Sequence, residues 1–269
     1  MKVIILTLIL LLTQVMASDR LVFGAISTIE PDLMKKKLLP IMNYLEKATG
    51  KKIEFQTGYN YSDTINKFAN GTFDIGFIGP APYVKTKNIN PNSINIIAGL
   101  KNTKNKPFQS VLISKKGSSI TKLSDINNHR FAFGSPQSTL SYFVPMDMLI
   151  RAKVVKKLQR YDFLGRHDKV AQYVIMGKYD VGAVKKSVAD KYSKYIQIIA
   201  KSEPLSDFMV VAHSSLDKDM VIKIKDALFN LKDPKVLSLL KKSIIGFEER
   251  KDSDYDDLRK IMSNVKEYR

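Results

Sequence analysis

The chain has 269 residues, a formal net charge of +18, 44% hydrophobic residues and no cysteine. That length allows one large domain or two lobes, and that apolar share excludes wholesale disorder. Disulfides and thiolate metal sites are excluded. The basic residues form short scattered clusters such as Lys35-Lys36-Lys37 and Lys241-Lys242, not one stripe with interleaved aromatics, which sets nucleic acid aside and leaves an anionic small ligand or an anionic surface.

In chain order, Lys2 is followed by Val3 to Met16, apolar except for Thr7, Thr13 and Gln14, and by Val15-Met16-Ala17 ahead of Ser18. This reads as a secretory signal peptide over residues 1–17. The run is shorter than the roughly 20 residues of a membrane span, and no Cys stands at the cleavage point to carry a lipid. The mature chain is therefore expected to be exported, soluble and periplasmic.

Arg20 to Ile26 reads as a strand. Pro31 to Thr49 reads as a helix, with Leu33, Met34, Leu38, Ile41, Met42 and Leu45 near helical spacing, a kink or division at Pro40, and a stop at Gly50. Lys52 to Gln56 is a second strand, Ser62 to Ala69 a short helix, and Phe73 to Ile78 a third strand closed by the turn Gly79-Pro80-Ala81-Pro82. Such a run implies a parallel sheet with right-handed crossovers, whose ligands bind at the carboxyl ends of strands. Ser27-Thr28, Asn60-Tyr61 and Gly79-Pro80 occupy those ends.

The pattern restarts with strands at Gln109 to Ser114, Phe131 to Gly134, Tyr161 to Leu164, Asp180 to Val184 and Ile196 to Ala200, with helices near 138–152, 168–177 and 185–193. Phe208 to Ala212 is a further strand, and from Leu216 onward the sequence is mostly helical. The expected architecture is α/β with two lobes and a cleft between them. The first lobe takes 18–108 and 214–269, and the second takes 109–213, including both crossing strands.

Ser138-Thr139-Leu140-Ser141 falls where a strand and the turn Gly134-Ser135-Pro136-Gln137 give way to a helix. The first amides of a helix lack intrahelical acceptors and carry the positive end of its dipole, so hydroxyls added there suit a tetrahedral oxyanion. A simple N-cap explains the same residues. Ser138 or Ser141 with His167 and Asp207 also has the composition of a hydrolase triad. However, no G-x-S-x-G elbow, H-E-x-x-H, P-loop or dinucleotide fingerprint accompanies it, so neither enzyme activity, a metal nor a cofactor is expected.

Two sets of motifs carry a resemblance. The first is Phe23-Gly24-Ala25, Pro40 with Tyr44-Leu45, Tyr61, and Gly71 through Tyr83. The second is Ser110 to Ile113, Phe133 to Pro145, His167-Asp168, and Gly177 through Val184. In this order the chain, over about residues 20 to 212, resembles the phosphate/phosphite/phosphonate-binding components of ABC transporters, two-lobed (type II-like) periplasmic binding proteins.

The resemblance implies a site. The family's Ser-Thr-Ser-Gly motif matches at Ser138 and Thr139 but reads Leu140 and Ser141 thereafter, so Ser141 becomes the substitute hydroxyl. Tyr61 matches one family tyrosine. Phe108 stands where a second is found and keeps the ring without the hydroxyl, with Gln109 beside it to compensate. His167 matches the family histidine and Asp207 a cleft aspartate. That carboxylate would accept from a protonated ligand and so refuse sulfate. Ser187 stands where the family has a glutamate for amino-substituted phosphonates, which points to phosphate, phosphite or a small alkylphosphonate. The implied function is capture of such an oxyanion by hinge closure, as a monomer, for an ABC permease. Docking on a membrane histidine kinase and serine hydrolysis are the alternatives.

Overall fold

The computed structural model describes residues 19–26, 31–103 and 107–268. The expected signal peptide and the strand end at Ser27-Thr28 lie outside them. Strands β1 (Arg20–Ala25), β2 (Lys52–Gln56), β3 (Ile75–Ile78) and β4 (Ile94–Asn102) enter a first sheet. Strands β5 (Ser110–Lys115), β6 (Arg130–Phe133), β7 (Arg160–Phe163), β8 (Val181–Lys185) and β9 (Ile196–Lys201) form a second, and β10 (Met209–His213) and β11 (Ile244–Glu248) return to the first. The orders are β11-β4-β10-β3-β1-β2 and β7-β6-β8-β5-β9.

The expected parallel runs are present: β1 pairs parallel with β2 and β3, and β6 with β7 and β8. Antiparallel strands that have crossed from elsewhere in the chain extend each sheet, β10 against β3 and β4, and β5 against β8 and β9. The second crossing strand therefore belongs to the first sheet and not to 109–213. Its apolar residues Met209, Val210 and Val211 are fully buried there. Phe108 and Leu205 form an isolated antiparallel bridge where the two crossings run side by side.

Helix α1 (Pro31–Thr49) is continuous through Pro40. Met34, Leu38, Ile41, Met42 and Leu45 form its buried stripe. The Lys36 carbonyl that Pro40 leaves without a donor belongs to an exposed residue that water can reach. Gly50 ends the helix with φ 72° and donates its N–H to the Glu46 carbonyl at 2.9 Å. The first sheet further carries α2 (Tyr61–Ala69), α3 (Pro80–Ile89), α7 (Lys218–Asn230) and α8 (Pro234–Leu240), and the second α4 (Val144–Arg151), α5 (His167–Ile175) and α6 (Lys186–Lys191).

Helix α9 (Asp256–Glu267) does not complete the first lobe, as 214–269 was expected to do. It packs on α4 of the second, with Asn264 Nδ2 donating to Asp147 Oδ1 at 2.6 Å. Its apolar residues Leu258, Met262 and Val265 join Val144, Met146 and Leu149 in a core cluster that also holds Phe68 and Phe73 of the first half. Among the described residues no helix is long and apolar enough to cross a membrane. No group of three or more His, Asp or Glu among them could hold a metal ion.

Candidate functional site

Gly134, after β6, turns the chain into a tight approach: a Cβ there would lie 2.1 Å from Ser141 Oγ. The chain then enters a π-helical turn over Thr139–Phe143 that runs into α4, a geometry frequent at functional sites. Ser138 caps it, its Oγ accepting from the Ser141 N–H at 3.2 Å. The amides of Thr139 and Leu140 thus head the turn.

Four helix beginnings converge on one cavity of about 40 Å³. Ser138, Thr139 and Leu140 come from the π turn, Tyr61 from α2, Gly79 and Pro82 from α3, and His167 from α5. Ile26, Phe108, Phe208 and Lys185 complete the lining. One water needs roughly 10–15 Å³ on such a measure, so the space suits a group of a few heavy atoms. Each helix start adds partial positive charge, and together they favour an anion.

The side-chain donors agree with that field. His167 Nδ1 accepts the Lys185 backbone N–H at 3.0 Å, so the neutral ring carries its proton on Nε2. Burial, and then the Lys185 charge, push its pKa down to about 3. Burial likewise raises the pKa of the Tyr61 phenol, which stays protonated. Neither the Tyr61 hydroxyl nor His167 Nε2 has a hydrogen-bond partner among the described residues, and both residues line the cavity.

Lys185, the last residue of β8, is the lining group that the sequence reading missed. The sequence pattern ends the strand at Val184 and places Lys185-Lys186 in a helix near 185–193. The carboxyl-end rule, applied one residue later, singles it out. The opening turn of α3 was also misread. Gly79-Pro80 is no turn between elements but an N-cap followed by proline at the first helical position, where a missing N–H costs nothing.

Five expected residues, Tyr61, Phe108, Ser138, Thr139 and His167, share this cavity. Two do not. Ser141 is fully buried, and its Oγ has no hydrogen-bond partner among the described residues. Its place on the turn aims it back at Gly134. Asp207 is 3% exposed and lines a separate, adjoining cavity. Its Oδ2 accepts from Lys241 Nζ and Asn102 Nδ2, each at 2.7 Å, and its Oδ1 from the Phe208 N–H at 2.8 Å. With both oxygens engaged elsewhere, the expected ground for refusing sulfate is lost. The triad is not assembled either, because Nδ1 of His167 is an acceptor and Asp207 is committed to Lys241. Gln109 lines the adjoining cavity and donates to the Ser202 carbonyl. Tyr142 packs within its own half, edge-on to Phe133 at 5.4 Å, and Tyr59 is 98% exposed.

The cleft is closed. The Ala81 N–H of α3 donates across it to Thr139 Oγ1 at 2.9 Å, and Gln137 Nε2 to Ser62 Oγ at 3.3 Å. Lys85 also meets Gln137 Oε1.

The profile of the family described as the periplasmic phosphonate substrate-binding protein of ABC transporters matches residues 23–255. The chain is similar to a phosphate-import protein PhnD of Mycolicibacterium smegmatis, with 25% identity over 222 residues, 71% of this chain and 65% of the relative. A probable ABC transporter phosphite-binding protein PhnD1 of Prochlorococcus marinus shares 29% over 174 residues, 61% of this chain and 58% of its own length. The aligned region thus spans less than two thirds of either relative. In fold, the chain matches Prochlorococcus PhnD1 solved in complex with methylphosphonate at a TM-score of 0.81, with 24% identity and coverage of 92% and 98% of the two chains. A phosphonate-transporter binding component of Pseudomonas aeruginosa gives 0.80, with 21% identity and coverage of 92% and 86%.

Proposed function

Because the chain belongs to the family of periplasmic substrate-binding proteins of phosphonate ABC transporters, we propose that it captures a small phosphorus oxyanion, namely phosphate, phosphite or a short alkylphosphonate, and delivers it to an ABC permease. The observation that carries this reading is the convergence of four helix N-termini with Ser138, Thr139, Tyr61, His167 and Lys185 on one small cavity between the two sheets. Charge-assisted hydrogen bonds from such fixed donors strengthen where water is displaced.

In the proposed cycle the anion meets the donors of the second half. The first half then closes over it, and the Ala81 to Thr139 bond holds the closed form. The ligand shifts this equilibrium only by its difference in affinity for the open and closed forms. The permease reads the closed form. Tested by calorimetry on ligand-stripped protein, at least one of phosphate, phosphite and methylphosphonate should bind with a Kd of about 1 μM or below, worth about 8 kcal/mol. Failure of all three to bind would refute the reading.

A further inference from the structure

Next to the oxyanion cavity lies a larger one of about 130 Å³, which shares Phe108, Leu140, Lys185 and Phe208 with it. Phe208 stacks on Phe77 at 5.0 Å and meets Phe108 edge-on at 5.8 Å, so an aromatic wall runs between the two spaces. Beyond that wall, Met34, Leu38, Leu100 and Leu240 form an apolar sleeve.

Four amines line the same space: Lys37 from α1, Lys185 and Lys186 at the junction of β8 and α6, and Lys241 just after α8. The single carboxylate, Asp207, is taken by Lys241 at 2.7 Å. Lys186 has Asp190 at 2.6 Å. Lys37 and Lys185 have no ion pair among the described residues. Burial, with the charges of Lys37 and Lys241, lowers the Lys185 pKa. The cations thus crowd one another around an apolar space, and an anion placed among them would relieve that crowding.

Resting on the oxyanion reading above, we propose that the larger cavity receives a second acidic group of the same ligand, so that the protein takes phosphonates whose short carbon chain ends in a carboxylate. The phosphorus end fills the smaller cavity, the methylene groups pass the aromatic wall, and the carboxylate meets Lys37 and Lys186, with Lys185 shared between the two spaces. A terminal amine would be repelled by the same three charges.

The test is calorimetry on the full mature protein with three matched series of two- to four-carbon phosphonates, ending in carboxylate, methyl or amine, and with inorganic phosphate as reference. At the best chain length the carboxylate-ended ligand should bind at least tenfold more tightly than its methyl-ended match, and the amine-ended one more weakly than either. Lys37→Gln combined with Lys186→Gln should cut that preference below threefold, while phosphate and the methyl-ended series stay within twofold of wild type. Equal binding of carboxylate- and methyl-ended ligands, a preference for the amine, or a preference untouched by the double variant would each overturn the proposal. The wild-type series decides the matter even if the double variant does not fold. If phosphate or a methyl-ended phosphonate still binds in those cases, the oxyanion reading stands and only the second subsite falls. If nothing in the panel binds, both fall.

Discussion

The five-stranded half brings Ser138, Thr139, His167 and Lys185 to the small cavity, four side chains that end in polar atoms. The six-stranded half brings one, Tyr61, together with Ile26, Gly79, Pro82 and Phe208. One wall therefore supplies most of the side-chain donors, and the other supplies Tyr61, exclusion of water and the dipoles of α2 and α3. The two halves have the same kind of sheet and flanking helices, so the difference comes from which residues begin their helices. In the proposed site an anion would gain most of its interaction from one wall, and the opposite wall would raise the value of those contacts by drying them.

The largest expected effect tests whether the charge belongs with the donor-rich wall. Lys185→Met removes the lone cation of the small cavity and should weaken oxyanion binding by about 3 kcal/mol, the upper range for a hydrogen bond to a charged group. Calorimetry with the tightest ligand measures it, and a loss below about threefold would mean that the helix termini and neutral donors suffice.

A sharper contrast pairs one hydroxyl from each wall. Ser138→Ala loses a ligand donor and the cap on the Ser141 N–H, and should cost about 2 kcal/mol in affinity and about 1 kcal/mol in stability. Tyr61→Phe should cost about 1 kcal/mol in affinity and leave the melting temperature nearly unchanged. Equal affinity losses in the two variants would erase the asymmetry between the walls.

A further test concerns pH and stability instead of affinity. His167 is held neutral down to about 3 in the folded chain, whereas an unfolded histidine titrates near 6.5. Between those values the unfolded state binds the extra proton, so stability rises with pH across the window and falls as the solution is acidified through it. Thermal unfolding of ligand-free protein from pH 7 to pH 4 should show this slope, and His167→Gln should flatten it. An unchanged slope would remove His167 from the buried, neutral role.

Much of this was legible in the residues. The strands of both parallel runs follow from short apolar segments between glycine-bearing turns, and Ser138, Thr139 and His167 stand at helix starts that the sequence marks. Other features depended on partners distant in the chain. Asp207 looks free in sequence because Lys241, which takes its carboxylate, lies 34 residues later. Strands β4 and β11 were not expected. Ile94 to Asn102 mixes apolar and polar positions without a clear period, and Ile244 to Glu248 is five residues in a helix-rich stretch. The pairing of β4 with β10 and of β11 with β4 stabilises them more than local preference does. Lys185 was hidden by its neighbour, since two adjacent lysines read as a solvated surface until the strand is known to end between them.

The docking of α9 on α4 gives the molecule a third connection between its halves, after the paired crossings at Phe108 and Leu205. Two adjacent ribbons can bend and also twist about their own length. A helix that leaves one half and is anchored in the core of the other resists the twist, and so confines opening to a single swing. In the proposed cycle the mouth of the cleft would then return to the same register after each release, and the donors on one wall would meet the cover on the other without a search.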